Sequence, residues 1–326
     1  MLQHMHDLFT EQDRLAINTT MAAGSRAQFD AMLHEQPRPS SGKRWVTLIG
    51  FVLLAIAIGL ILVAIIGGLG LIGLVMLIVA SVFLARMIAR WWHIRSLRND
   101  SRLKVIGGYA ESRGWQTVDQ ISLPATTPLL RSGDRRKTGW GVQGTLGEQV
   151  HFCAGEYIFE TRETSSDGNG NTTESWQQHP FTVAVIGASL EGIGSMRIQK
   201  GKTDGIWSKL TGMVTSLQPV LLESQEFNSS FQLLVSDDAD QIAVREHFTP
   251  VIQVAFVDRG IGTSQFEAEN GVLVAARKGS PRTDNFGVLM DVLADAVWMR
   301  AVFTDEPAGR LPDINVLRAL LLGPNA

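Results

Sequence analysis

Hydrophobic and polar positions are divided unevenly along the chain. Residues 45–85 form 41 consecutive positions with no charged side chain, almost wholly Leu, Ile, Val, Ala and Gly. A helix needs about 20 apolar residues to cross hydrocarbon at about 1.5 Å per residue. The run therefore has the length of two crossings, and Gly67, Gly68 and Gly70 near its midpoint have the composition of a turn. The pattern predicts an antiparallel α-helical transmembrane hairpin with arms at residues 46–66 and 71–88.

Elsewhere the periodicities are those of a folded domain. Leu8, Leu15, Ala22 and Phe29 recur every seven residues in an otherwise polar segment, which predicts a surface helix over 7–33 that ends at Pro37 and Pro39. The second membrane arm is expected to continue as a helix over 91–109, with Trp91 and Trp92 as interface anchors. Strands are expected over 142–162, 174–187, 196–199 and 231–235. The polar stretch 165–173, with Asp167-Gly168 and Asn169-Gly170, reads as a hairpin tip. Asn270-Gly271 between 265–269 and 272–277 predicts a hairpin with a type I′ turn. Helices are expected at 206–214, from a cap at Asp237 or Asp238 to His247, from Thr249-Pro250 to 257, and from Thr283 or Asp284 to 302. The last of these carries Phe286, Leu289, Met290, Leu293 and Val297 on one face, and a short helix follows over 313–322. The expected fold class is an α+β soluble domain, mostly antiparallel strands and then helices, attached to an α-helical transmembrane hairpin. Its expected divisions are 1–44, 45–88, 89–104 and 105–326.

Charge follows these divisions. Residues 1–37 sum to −3, 38–104 to +8 and 105–326 to −8. Arg38, Lys43 and Arg44 precede the apolar run, and Arg86, Arg90, Arg95, Arg98, Arg102 and Lys104 follow it. Positive flanks stay inside, which predicts a multi-pass protein of the inner or plasma membrane with both termini cytoplasmic. The six basic residues after the run are the expected contacts to anionic lipid head groups. An acidic domain offers no basic face for nucleic acid. The single cysteine, Cys153, excludes an intramolecular disulfide.

Fragments of catalytic motifs are present but incomplete. Ser101 to Lys104 matches S-x-x-K and Lys137-Thr138-Gly139 matches K-T-G, but the third β-lactamase element, read at Ser166-Asp167-Gly168, is out of order. Gly68, Gly70 and Gly73 match G-x-G-x-x-G without its strand, helix or acidic partner, and Gly201-Lys202-Thr203 lacks the first glycine of a phosphate loop because Met196 stands there. His151, Cys153 and His179 would supply two imidazoles and a thiol if their strands brought them together. Against that stands the plainer reading of a half-buried thiol beside surface histidines. His4 and His6 lack a third ligand. Glu223, Glu226, Asp237, Asp238 and Asp240 could form a cation site, but helix capping accounts for the aspartates more simply. No catalytic, cofactor or metal residue is assigned.

The order of pieces, with Glu223-Ser224-Gln225-Glu226-Phe227-Asn228, Phe231, Val235 and Thr249-Pro250 in the second half, resembles an uncharacterised bacterial membrane-protein family of the DUF3137 type, strongest in actinobacterial members. That group is often found beside membrane-shaping or scaffold proteins. The resemblance implies a membrane hairpin with a cytosolic α+β domain and brings no catalytic residue with it. The function expected is a membrane-anchored cytosolic binding or scaffold domain, non-enzymatic, with the lipid bilayer and an unidentified protein as partners. The alternative is a membrane-bound hydrolase or metal enzyme using the His/Cys site. Oligomeric state is not legible.

Overall fold

Alternation of apolar and polar positions between Gln116 and Lys278 resolves into nine strands of one antiparallel sheet in the computed structural model. The structure describes residues 11–35, 70–147, 150–166, 172–188, 193–201, 217–258, 265–281, 286–305 and 313–322. The strands are β1 (Gln116–Val118), β2 (Arg135–Leu146), β3 (Val150–Ser166), β4 (Thr172–Gly187), β5 (Met196–Lys200), β6 (Leu217–Val220), β7 (Phe231–Ser236), β8 (Gln265–Glu269) and β9 (Val272–Lys278). Their order across the sheet is β1-β2-β3-β4-β9-β8-β5-β7-β6. One register row crosses all nine: Gln116, Gln143, Cys153, Val185, Val274, Glu267, Arg197, Leu234 and Pro219 are successive Cα partners. Directly opposed residues share a face and side chains alternate with period two, so this row fixes which residues lie on each side.

On the face of that row, Tyr157, Phe159, Phe181, Val183, Val185, Val274 and Ala276 form a buried cluster with Ile121, Leu129 and Leu130. The two leucines lie on α3 (Pro128–Arg131), a single helical turn; α1 is Glu11–Glu35 and α2 is Gly70–Glu111. The later helices are α4 (Gln225–Ser230), α5 (Gln241–His247), α6 (Pro250–Asp258), α7 (Phe286–Arg300), which runs into a π-helical turn at Ala301–Asp305, and α8 (Ile314–Leu322). Helix α7 packs on β4 and β9. Its expected apolar face is buried, and so are Val292, Ala296 and Met299, so it is covered on more than one side. Phe256 meets Phe227, Phe266 and Trp298 edge to face at 5.7, 6.1 and 5.1 Å, joining α6 to the sheet and to α7.

The membrane hairpin is corrected. Its first arm at 46–66 and turn residues 67–69 lie outside the described residues, as do Arg38, Lys43, Arg44, His4, His6, the helix expected at 206–214, and Thr283 and Asp284. The second arm is the beginning of α2, which runs on through Arg86, Arg90 and Arg95 to Glu111, so the helical continuation expected over 91–109 does form. Among the described residues no helix is long and apolar enough to cross a membrane. Within α2 sixteen uncharged residues, 70–85, precede Arg86, against about 20 needed for a crossing. The fold class becomes a large antiparallel sheet with helices. The transmembrane helix, the membrane assignment and the inner or plasma-membrane localisation with cytoplasmic termini are withdrawn with the hairpin.

Two compact units are distinguished, one of Met1–Met21 with Ile106–Ala326 and one of Ala22–Val105. In the first, Asp13 holds Arg318 through two contacts of 2.8 and 3.2 Å, Asn18 accepts from the Gly287 amide, and Arg113 lies 3.7 Å above the Tyr109 ring. In the second, the buried hydroxyls of Ser25 and Ser101 are 3.3 Å apart. There Gly24 faces Val105 so closely that a Cβ would stand 3.2 Å from its methyl group. Two caps differ from expectation or add to it. Asp240, not Asp237 or Asp238, caps α5 by accepting from the Ile242 amide at 2.8 Å, and Ser224 caps α4 by accepting from Phe227 at 3.1 Å.

Candidate functional site

Strand register leaves His151 and Cys153 two residues apart on one face of β3 and holds His179 away from both. Cys153 is opposite Val185 and His179 is opposite Phe159. Six residues of strand separate the two rows, about 20 Å at about 3.4 Å per residue. His179 is buried with its ring 4.7 Å from that of Phe159 and its Nε2 3.0 Å from the Thr161 hydroxyl. Cys153 lies 3.7 Å from the Ser122 carbonyl oxygen, and burial pushes its thiol up to about 11. A thiol so disposed is a poor nucleophile near neutrality. Among the described residues no group of three or more His, Cys, Asp or Glu could hold a metal ion.

The basic residues assigned to lipid lie along α2, where Arg86, Arg90, Arg95, Arg98 and Lys104 are exposed and Arg102 is half-buried. At about 100° per residue they do not form one stripe. Arg86, Arg90 and Lys104 project to one side, and Arg95, Arg98 and Arg102 to another. Arg95 sits 5.2 Å from the Trp91 ring, and Trp91 meets Trp92 edge to face at 5.7 Å.

Sequence reasoning missed the way β3 and β4 outrun their neighbours. Their pairing continues to Ser166 opposite Thr172, whereas β2 stops at Arg135 opposite Glu160 and β9 at Lys278 opposite Phe181. The six rows from Thr161–Gln177 to Ser166–Thr172 therefore form a two-stranded arm with no strand beside it among the described residues. Its length is about 17 Å at about 3.4 Å per row. Its tip residues 167–171 lie outside the described residues. Nearly every side chain on it is exposed. Arg162 pairs with Glu174, and Arg135 at the base lies 3.8 Å above the Trp176 ring. One face of the base is locked by Lys137 and Gln178, which donate to Glu160 at 2.6 and 2.9 Å. The Lys137 hydrogen bond is the chief cause that holds the Glu160 carboxyl below its ordinary value.

His151 reaches a different feature, a cavity of about 370 Å³ at the β1–β3 end of the sheet, lined also by Gln116, Gln143 and Thr145. A third cluster is structural. The buried Glu267 takes Arg197 on one oxygen at 2.8 Å and the Leu129 amide on the other at 2.7 Å. The stretch Glu223 to Asn228, which carried the family resemblance, has a local explanation too. Ser224 caps α4, Phe227 enters the aromatic core, and Asn228 closes on Leu222 through both its donor and its acceptor.

No protein family, curated protein or solved structure matches the chain.

Proposed function

We propose that this chain is a non-enzymatic binding or scaffold module whose docking element is the β3–β4 arm. The observation that carries the reading is the six-row overhang of β3 and β4 beyond β2 and β9. A two-stranded hairpin without a covered face is marginal by itself, and its free edges offer main-chain donors and acceptors to another strand. An extended segment of a partner protein adds to such an edge by strand pairing. The Trp176 indole beside Arg135 supplies a half-exposed aromatic contact at the base. The net −8 of residues 105–326 favours a protein partner over nucleic acid. The alternative hydrolase or metal enzyme loses support from the separation of Cys153 and His179. A photo-crosslinking residue at Thr164 on the arm, compared with one at the exposed Ser112, tests the reading in producing cells. A discrete adduct from the arm position alone is expected, and equal labelling from both positions would contradict it.

A further inference from the structure

We infer that the cavity at the β1–β3 end of the sheet is a binding site for a neutral polyhydroxylated ligand, a saccharide. This site is separate from the arm and does not rest on it. Gln116 and Gln143 are Cα partners on β1 and β2, and Thr145 and His151 are Cα partners on β2 and β3. Gln143 and Thr145 are two residues apart on β2, so all four side chains stand on one face of the sheet, stepped across three strands over about 10 Å by 7 Å. A pyranose with its hydroxyls fits within that span. The cavity volume of about 370 Å³ falls at the lower end of the range for small-molecule sites, about 300–1,000 Å³.

The chemistry of the corners selects the ligand. A carboxamide and a hydroxyl each both donate and accept hydrogen bonds, and an imidazole adds a ring nitrogen donor. A ligand whose own groups do the same satisfies them in any orientation, and a vicinal diol spans the oxygen and nitrogen of one carboxamide. The lining holds no Asp, Glu, Lys or Arg, so the site has no guanidinium or ammonium for a phosphate or carboxylate and no carboxylate for an amine. Gly114 adds to the opening, since a Cβ there would meet nothing. On the opposite face of the sheet Gly144 leaves room for Trp115, since a Cβ there would stand 2.7 Å from its ring, which in turn meets Phe152 at 5.0 Å.

The test is a titration of the full chain, followed by NMR of the Gln116 and Gln143 side-chain amides and the His151 ring. The probes are the methyl pyranosides of glucose, mannose and galactose, with maltose as a fourth. At least one sugar is expected to move all three sets of signals saturably, with a Kd of about 1–10 mM. Sodium sulfate and putrescine are expected to leave them unmoved. Gln143→Leu is expected to weaken the binding about tenfold or more through the loss of paired hydrogen bonds. His151→Leu, at an exposed position, carries the same expectation should the first variant fold poorly. Gln218→Leu on the opposite edge of the sheet should bind as the unaltered chain does. Silence from all four sugars, a response to sulfate in their place, or unchanged affinity in a folded Gln143→Leu or His151→Leu variant would overturn the assignment.

Discussion

Arg197 and Glu267 face each other across β5 and β8 as Cα partners, both buried, with Nη2 of the arginine 2.8 Å from Oε1 of the glutamate. The other glutamate oxygen accepts from Leu129 near the start of α3. Tyr157 donates to the Leu129 carbonyl at 3.1 Å, and Arg131 grips Glu269 through two contacts of 3.0 and 2.8 Å. A single helical turn, too short to persist alone, is thereby fastened to β3 and β8.

Removing one partner of a buried ion pair strands the other, at a cost of about 3–5 kcal/mol, whereas replacing both with apolar residues is often neutral. Glu267→Ala should therefore be strongly destabilised in urea unfolding, and the double change Arg197→Met with Glu267→Leu should be more stable than Glu267→Ala. A double variant less stable than that single one would contradict the pairing.

Burial raises the Cys153 thiol to about 11. At about pH 8 only about one thiol in a thousand is then ionised, and the thiolate is the reactive form. Alkylation of the native chain by iodoacetamide should be at least tenfold slower than in urea. Equal rates would place Cys153 outside its observed packing.

Glu160 supplies a pH dependence of definite sign. Lys137, by its hydrogen bond, and then Gln178 favour the charged carboxylate against a smaller opposing effect of burial, which lowers the group below its ordinary 4.5. A depressed carboxylate contributes stability above its unfolded value and loses it as pH falls through the folded one. Glu160→Gln should lower the Tm near neutrality, and the gap from the unaltered chain should narrow on acidification below about pH 4.5. A gap that does not change with pH would contradict the contact.

At the β8–β9 turn, Asn270 and Gly271 have φ of 52° and 75°. A β-branched residue there is strained by about 1–2 kcal/mol, so Gly271→Val should lower the Tm, with a smaller effect from Asn270→Gly. No change for Gly271→Val would mean that the turn differs from type I′.

What the sequence revealed was local, and what it concealed depends on register. Asn270-Gly271, the Thr249-Pro250 start of α6 and the apolar face of α7 are written in neighbouring residues, and each forms where expected. Glu267 could not be read as buried. Gln265, Glu267 and Glu269 alternate as a solvent-facing strand would, and the cover comes from α3, 138 residues away in the chain. His151, Cys153 and His179 lie on strands that do pair, but a pairing offset no local pattern records sets Cys153 and His179 six rows apart. The same holds for the arm, since strand length is legible only when the ends of β2 and β9 are known. The membrane reading counted uncharged length, whereas the continuation of that helix past its arginines, expected over 91–109, does form in α2.

The docking role of the arm is tested most directly by replacing residues 162–176 with Asn-Gly, which leaves the shared rows of β3 and β4 intact. Loop-closure entropy changes little with length, so the shortened chain should keep its fold and nearly its Tm. The full chain and the shortened chain, tagged alike and crosslinked in producing cells, are then compared for bound proteins by quantitative mass spectrometry. A protein captured by the full chain and lost from the folded, shortened chain is the predicted result. Identical sets from both chains would contradict the account.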